Sequence, residues 1–161
     1  AANLRLLLSY LMCWPGKKLL FMGGEIGQWD EWNCKDSIQW FLLQWPLHQG
    51  IQRCMAALCH LVRKESALWR HDHHWEGFEW VDFRDTTNSV ICYLRKDGPQ
   101  QLLVVHHFSP EILNTDAQEF GGSGTLNPAP AVVRDEHGHP VGVQFQLAPL
   151  ATMIFRVQRS S

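Results

Sequence analysis

No two cysteines in this sequence form a CxxC pair, and the five present (Cys13, Cys34, Cys54, Cys59 and Cys92) are odd in number and scattered. That spacing excludes a zinc finger or a dithiol redox pair, and no metal or other cofactor is expected. It reads as a set of small core hydrophobes in a reduced, cytoplasmic protein. Long apolar runs are lacking too: each is broken by proline, glycine or charge well short of a bilayer span, so no transmembrane helix and no membrane partner are expected. Ala1 to Tyr10 carries only Arg5 and lacks the ordered basic, apolar and small-residue regions of a signal peptide. It also lacks an initiator methionine and reads as part of a longer chain. Nor is there an excess of charge of one sign. Fourteen Lys and Arg against 16 Asp and Glu leave −2, which gives no electrostatic reason to expect nucleic acid.

What is present is globular: 45% hydrophobic and 19% charged, enough apolar matter for a core. Eight tryptophans stand out, because a flat apolar face with an N–H handle suits surfaces that stack on sugar rings as well as cores.

Leu4, Leu7, Leu8 and Leu11 recur at helical spacing, which predicts an amphipathic helix over Asn3 to Cys13 stopped by Pro15-Gly16. Leu19-Leu20-Phe21-Met22 is a short unbroken apolar run, the pattern of a strand buried on both faces of a parallel sheet. Helix, turn and buried strand make one unit of an α/β repeat, with Gly23 to Gln28 at the strand's C-terminal end, the functional face of a barrel. Trp29 to Trp45 has no clean period and reads as a long loop with a short helical turn near Ile38 to Leu43. A second helix is expected from about His48 to Lys64, with Ile51, Met55, Leu58 and Val62 on one face.

Beyond a boundary near His71 to Glu76 the pattern changes to short alternating runs. Phe78 to Phe83, Ser89 to Arg95 and Gln101 to Phe108 read as strands, the last two joined by a hairpin at Asp97-Gly98. Val141 to Leu147 and Ala151 to Val157 read as a final pair, after a long exposed loop that includes Gly121 to Gly124 and Asn127 to Pro130. The expectation is a mixed α/β plus all-β chain: residues 1–70 end an α/β domain and 71–161 form an antiparallel β-sandwich.

Several motifs then align with one family. Lys17 to Gln28 followed by Glu31-Trp32-Asn33, Pro46 to Arg53, Gly77-Phe78-Glu79-Trp80, Leu113 to Asp116 with Gly121-Gly122-Ser123, and Leu147 to Thr152 together resemble the C-terminal part of bacterial 1,4-α-glucan (glycogen) branching enzymes, of the α-amylase superfamily. The resemblance implies the last segment of a (β/α)8 barrel followed by a β-sandwich. It implies cleavage of an α-1,4-glucan such as glycogen or amylose and transfer of the segment to a 6-hydroxyl, with retention of configuration. Retention needs a nucleophilic carboxylate and an acid/base carboxylate about 5 Å apart. By the resemblance all three catalytic carboxylates lie upstream of Ala1, so no catalytic residue is assigned here and the chain is expected to be inert without those upstream barrel residues. It also implies that a hairpin-sized stretch is missing between Pro110 and Glu111.

The candidate substrate-binding residues are Glu25, Gln28, Trp32 and Asn33. Trp32 could stack on a sugar and Asn33 bond its hydroxyls, while Glu25 and Gln28 could line the glucan site or only hold its loops. Asp30, Glu31 and Asp36 read as a solvated loop, and His71, Asp72, His73 and His74 as a polar linker with no metal-ligand spacing. Of His106-His107, one ring is expected to pack and the other to meet solvent. Two other functions fit the same residues: a related α-glucan hydrolase (debranching enzyme or trehalohydrolase), or a non-catalytic glucan-binding β-sandwich module with Trp75 and Trp80 as stacking candidates.

Overall fold

The computed structural model describes residues 1–108, 131–134, 140–144 and 150–157. Two helices come first, α1 (Ala2–Cys13) and α2 (Pro46–Lys64). They pack through Leu8 and Met12 of α1 against Ile51, Cys54, Met55 and Leu58 of α2, with Leu4, Leu11 and Val62 at the margin. The helix α2 begins at Pro46, two residues before the expected start. Proline is favoured there because its missing N–H has no intrahelical partner at the first turn. Arg63 and Lys64 in its last turn complement the negative end of the helix dipole. The helical turn near Ile38 is a 3-10 turn at Trp40–Gln44.

The strand expected at Leu19 to Met22 does not form. These residues carry no regular structure, and Leu19, Leu20, Phe21 and Met22 are 76%, 38%, 60% and 49% exposed. A strand exists only by hydrogen bonding to a neighbour, and among the described residues nothing is paired with this run.

The β part is antiparallel throughout. β1 (Phe78–Asp85), β2 (Val90–Asp97), β3 (Gln100–His107) and β6 (Ala151–Val157) form one sheet in the order β1-β2-β3-β6. β4 (Ala131–Arg134) and β5 (Pro140–Gln144) form a separate pair. The β2–β3 hairpin turns at Gly98, whose φ of 57° is the left-handed conformation glycine accepts without a Cβ clash. Asp97 stays in the ladder opposite Gln100. Two features differ from the expectation. β4 lies just beyond the supposed loop, and β6 pairs with β3 and not with the strand before it. The expected end of β5 at Leu147 lies outside the described residues.

One face of the four-stranded sheet meets the helices. Tyr93 and Val104 pack on Cys13 and Trp14, and Leu102 on Ala67 and Leu68. The core therefore crosses the boundary drawn at residue 70. Arg95 on the same face is fully buried. Its guanidinium donates to the Cys13 carbonyl at 2.7 Å, to the Gly77 carbonyl at 3.3 Å and to Asp72 Oδ1. Asp72, read from sequence as linker, is thus half of a buried ion pair. A second joint centres on buried Glu65, which accepts from Gln100 Nε2 at 2.6 Å and from Arg156 Nη2. Burial pushes the Cys13 thiol up to about 12, so it is an inert core group.

His106 is the buried member of the His106-His107 pair, as expected, and His107 is half-buried. Its ring joins Tyr93 Oη at 2.8 Å and Thr152 Oγ1 at 2.7 Å, and burial lowers its pKa to about 4.

Two consequences can be measured. Arg95→Leu leaves the Asp72 carboxylate buried without its cation and should lower unfolding free energy by about 3–5 kcal/mol in urea melts. A loss comparable to a surface substitution would refute this joint. For His106 the folded pKa lies below the unfolded value of 6.5, so the unfolded state binds the extra proton. Stability should be level above that value and fall as pH drops towards about 4, by about 3 kcal/mol in all. His106→Gln should flatten the profile in that window. Asp85 and Asp97, whose pKa values are lowered chiefly by side-chain hydrogen bonds from Asn88 and Ser66 respectively, act only at lower pH.

Candidate functional site

The loop after Leu19 to Met22 is shaped by two glycines. Gly23 (φ 81°) and Gly27 (φ 64°) flank a 3-10 turn at Gly24–Ile26. A Cβ at Gly23 would fall 2.7 Å from Gln28 Oε1, and one at Gly27 would fall 2.9 Å from Leu4 and 3.0 Å from Ile51. Only glycine lets the chain turn this tightly and bring Gln28 back over Gly23. The turn is pinned to α2 by His48 Nδ1, which donates to the Ile26 carbonyl at 2.7 Å.

From there a closed set of amide bonds holds the loop. Gln28 Nε2 donates to the Asp30 carbonyl at 3.1 Å, and Gln39 N donates to Gln28 Oε1 at 3.1 Å. The Gln39 side chain accepts from Trp29 N at 3.2 Å and donates to Asp30 Oδ2 at 2.5 Å. Asn33 closes a smaller turn, accepting from Lys35 N at 3.0 Å and donating to Asp36 Oδ2. Outside these bonds lies an aromatic group. Trp29 meets Trp45 at 5.4 Å and His48 at 5.5 Å, and Phe21 meets Trp32 edge-on at 5.7 Å.

Two adjoining hollows open on this loop. One, of about 220 Å³, is lined by Gln28, Trp32 and Asn33 together with Met22, Asp30 and Gln39. The other, of about 530 Å³, shares Met22, Gln28 and Trp32 and adds Leu4, Phe21 and Gly24. Three of the four candidate residues therefore come together. Glu25, in the first turn of the 3-10 helix, lines neither hollow. The polar atoms of Gln28 and Asn33 are engaged in holding the loop, while half-exposed Trp32 and the Glu31 side chain line both hollows beside them. Asp30 Oδ2 accepts from Gln39 Nε2 and Asp36 Oδ2 accepts from Asn33 Nδ2. No group of three metal-ligating side chains occurs among the described residues. Gln39, which joins both ends of the loop, carries no sequence signal, since a single glutamine in an aperiodic stretch announces nothing.

Residues 80–158 match the family model of the alpha amylase C-terminal all-beta domain. The 1,4-alpha-glucan branching enzyme of Protochlamydia amoebophila (strain UWE25) is 51% identical over 97% of this chain, which takes up 24% of that enzyme. The enzyme of the same name from Chlamydia caviae is 43% identical over 97% of this chain and 24% of its own length. That from Aquifex aeolicus (strain VF5) is 43% identical over 96% and 28%. The resemblance read from the motifs thus extends over nearly the whole chain, which spans about a quarter of the length of the curated relatives it matches. The first alignment runs over 173 positions, more than the 161 residues here, so the relative carries residues without a counterpart in this chain. The join at Pro110-Glu111 itself lies outside the described residues.

Gln39→Ala removes the side-chain bonds that close the loop while leaving the helix–sheet core untouched. The expected outcome is faster amide exchange and protease cleavage within 28–39, with the urea midpoint nearly unchanged. Unaltered exchange in the loop would show that the clamp does not hold it.

Proposed function

We propose that this chain is the C-terminal part of a 1,4-α-glucan branching enzyme, with residues 1–70 completing its (β/α)8 barrel and 71–161 forming its β-sandwich. The reading is carried by the 51% identity over 97% of the chain to the Protochlamydia enzyme. The activity is cleavage of an α-1,4-glucan such as glycogen or amylose and transfer of the freed segment to a 6-hydroxyl. Retention in such a transfer takes two carboxylates about 5 Å apart, and they come from barrel residues outside this chain.

The exposed run Leu19 to Met22 supports the barrel assignment, because an apolar segment of this kind is stable only when paired and covered. It is the eighth strand, and upstream strands of the same protein are its neighbours. The sandwich assignment is supported by the far face of the sheet. There the register sets Leu94 beside Leu103 and Leu103 beside Phe155, an apolar surface for the layer that contains β4 and β5. In the loop, Trp32 stacks on a glucose ring while Gln28 and Asn33 keep it in place. Glu25 is assigned no sugar contact. A cytoplasmic location fits five cysteines that are all free thiols, two of them exposed.

Iodine-stained branching of amylose tests the reading, with the chain alone and joined to its preceding segment. Activity in the longer protein only is the expected result. Branching by the 161 residues alone would overturn it, and glucose release without branching would point to a hydrolase. In the longer protein Trp32→Ala should raise KM for amylose about tenfold, the scale of one lost stacking contact.

A further inference from the structure

In the 30–36 segment two of the three carboxylates accept hydrogen bonds within the loop and the third does not. Asp30 is held by Gln39 and Asp36 by Asn33. Among the described residues no group donates to the Glu31 carboxylate. Glu31 is exposed and lines both hollows beside Trp32. Its two oxygens are therefore the acceptors that the loop keeps open for a ligand.

The charge around it is of one sign. Asp30 lines both hollows and Asp36 the smaller one, and among the described residues neither lining includes Lys, Arg or His. The amide groups that hold Asp30 and Asp36 are neutral donors, so they leave the carboxylate charge in place. Lys35 is engaged through its backbone N, which donates to Asn33 Oδ1 at 3.0 Å, and it lines neither hollow. The same carboxylates form no three-ligand group for a metal ion among the described residues.

A carboxylate beside an aromatic face acts on a sugar in two ways. It accepts hydroxyl hydrogens, and a charged acceptor makes such bonds roughly twice as strong as neutral ones. It also repels an anionic group on the same ligand, and the repulsion adds over the carboxylates nearby. Stacking on Trp32 supplies neither effect, because a ring face reads only apolar surface.

We propose that Glu31 sets the charge specificity of this loop. It accepts hydroxyls of a neutral glucose unit stacked on Trp32 and, with Asp30 and Asp36, turns away units that carry phosphate. The identity of the sugar rests on the branching-enzyme reading, and the exclusion of anions rests on the lining of the hollows.

The test uses the longer protein and compares two inhibitors of amylose branching, maltoheptaose and maltoheptaose phosphorylated on each glucose unit. At low salt the neutral sugar should inhibit at least about tenfold better, the scale of a phosphate dianion near several carboxylates in water. Added salt should shrink that preference, because exposed charges are screened. Glu31→Gln should cut it about fivefold, strengthening the phosphorylated inhibitor and weakening the neutral one. Glu31→Asp keeps the charge and should keep the preference. No preference in the parent, or a preference indifferent to salt, would overturn the proposal. So would a Gln variant in which both inhibitors change alike, since Glu31 would then serve the fold or pair with an upstream cation. If the longer protein forms no branches, the two sugars are titrated by calorimetry. A preference that depends on Glu31 there would uphold the charge specificity and overturn the branching reading, and branching without the preference would do the reverse.

Discussion

The buried guanidinium of Arg95 is the constraint on which the arrangement of helices and sheet depends. A cation taken out of water is tolerated only when its donors are satisfied. Here the acceptors come from three separated places: the carbonyl of Cys13 at the end of α1, the carboxylate of Asp72, and the carbonyl of Gly77. The Cys13 carbonyl is one of the groups a helix end leaves without an intrahelical partner, so one bond satisfies two needs. All three acceptors converge only if α1, the 72–77 segment and β2 dock together. Gly77 is part of the same fit, because a Cβ there would fall 2.4 Å from the His71 carbonyl oxygen. Glu65 with Gln100 and Arg156 repeats the device further along the sheet.

That joint explains why the helical part and the sheet share one core although their sequence patterns differ. It also isolates what is left over. The run Leu19 to Met22 leads into a loop that approaches α1 and α2 through Leu4 and Ile51 at Gly27. Met22 lines both hollows. The apolar wall of the candidate site is therefore continuous with this exposed run.

Much of this was legible in the sequence wherever the signal was local. Helical spacing of leucines marked α1, and the Ile51 to Val62 stripe marked α2. The alternating runs and Gly98 marked the β1–β2–β3 meander. Non-local facts were not legible. That β6 closes on β3 depends on contacts across some fifty residues, and that Leu19 to Met22 stays unpaired depends on what surrounds it. In the site, Gln28, Trp32 and Asn33 were identifiable, and they meet in one hollow. Glu25, in the turn between the two left-handed glycines, lines neither hollow. Gln39 and Asp72 were invisible as anchors, since their roles exist only in the partners that folding brings to them.

On the branching-enzyme proposal, the same reasoning decides how a glucan would be held. The side-chain amides of Gln28, Asn33 and Gln39 are spent on other groups of the loop, which fixes it before any ligand arrives and reduces the ordering cost of binding. What that proposal leaves for the sugar is the aromatic surface of Trp32 in the loop. A stacked ring contributes modestly and reads little beyond a flat apolar face, so such a contact does not select one glucose unit over the next. For a polymer of identical units that is an advantage. A glucan held by stacking alone can slide by one unit and regain the same contact.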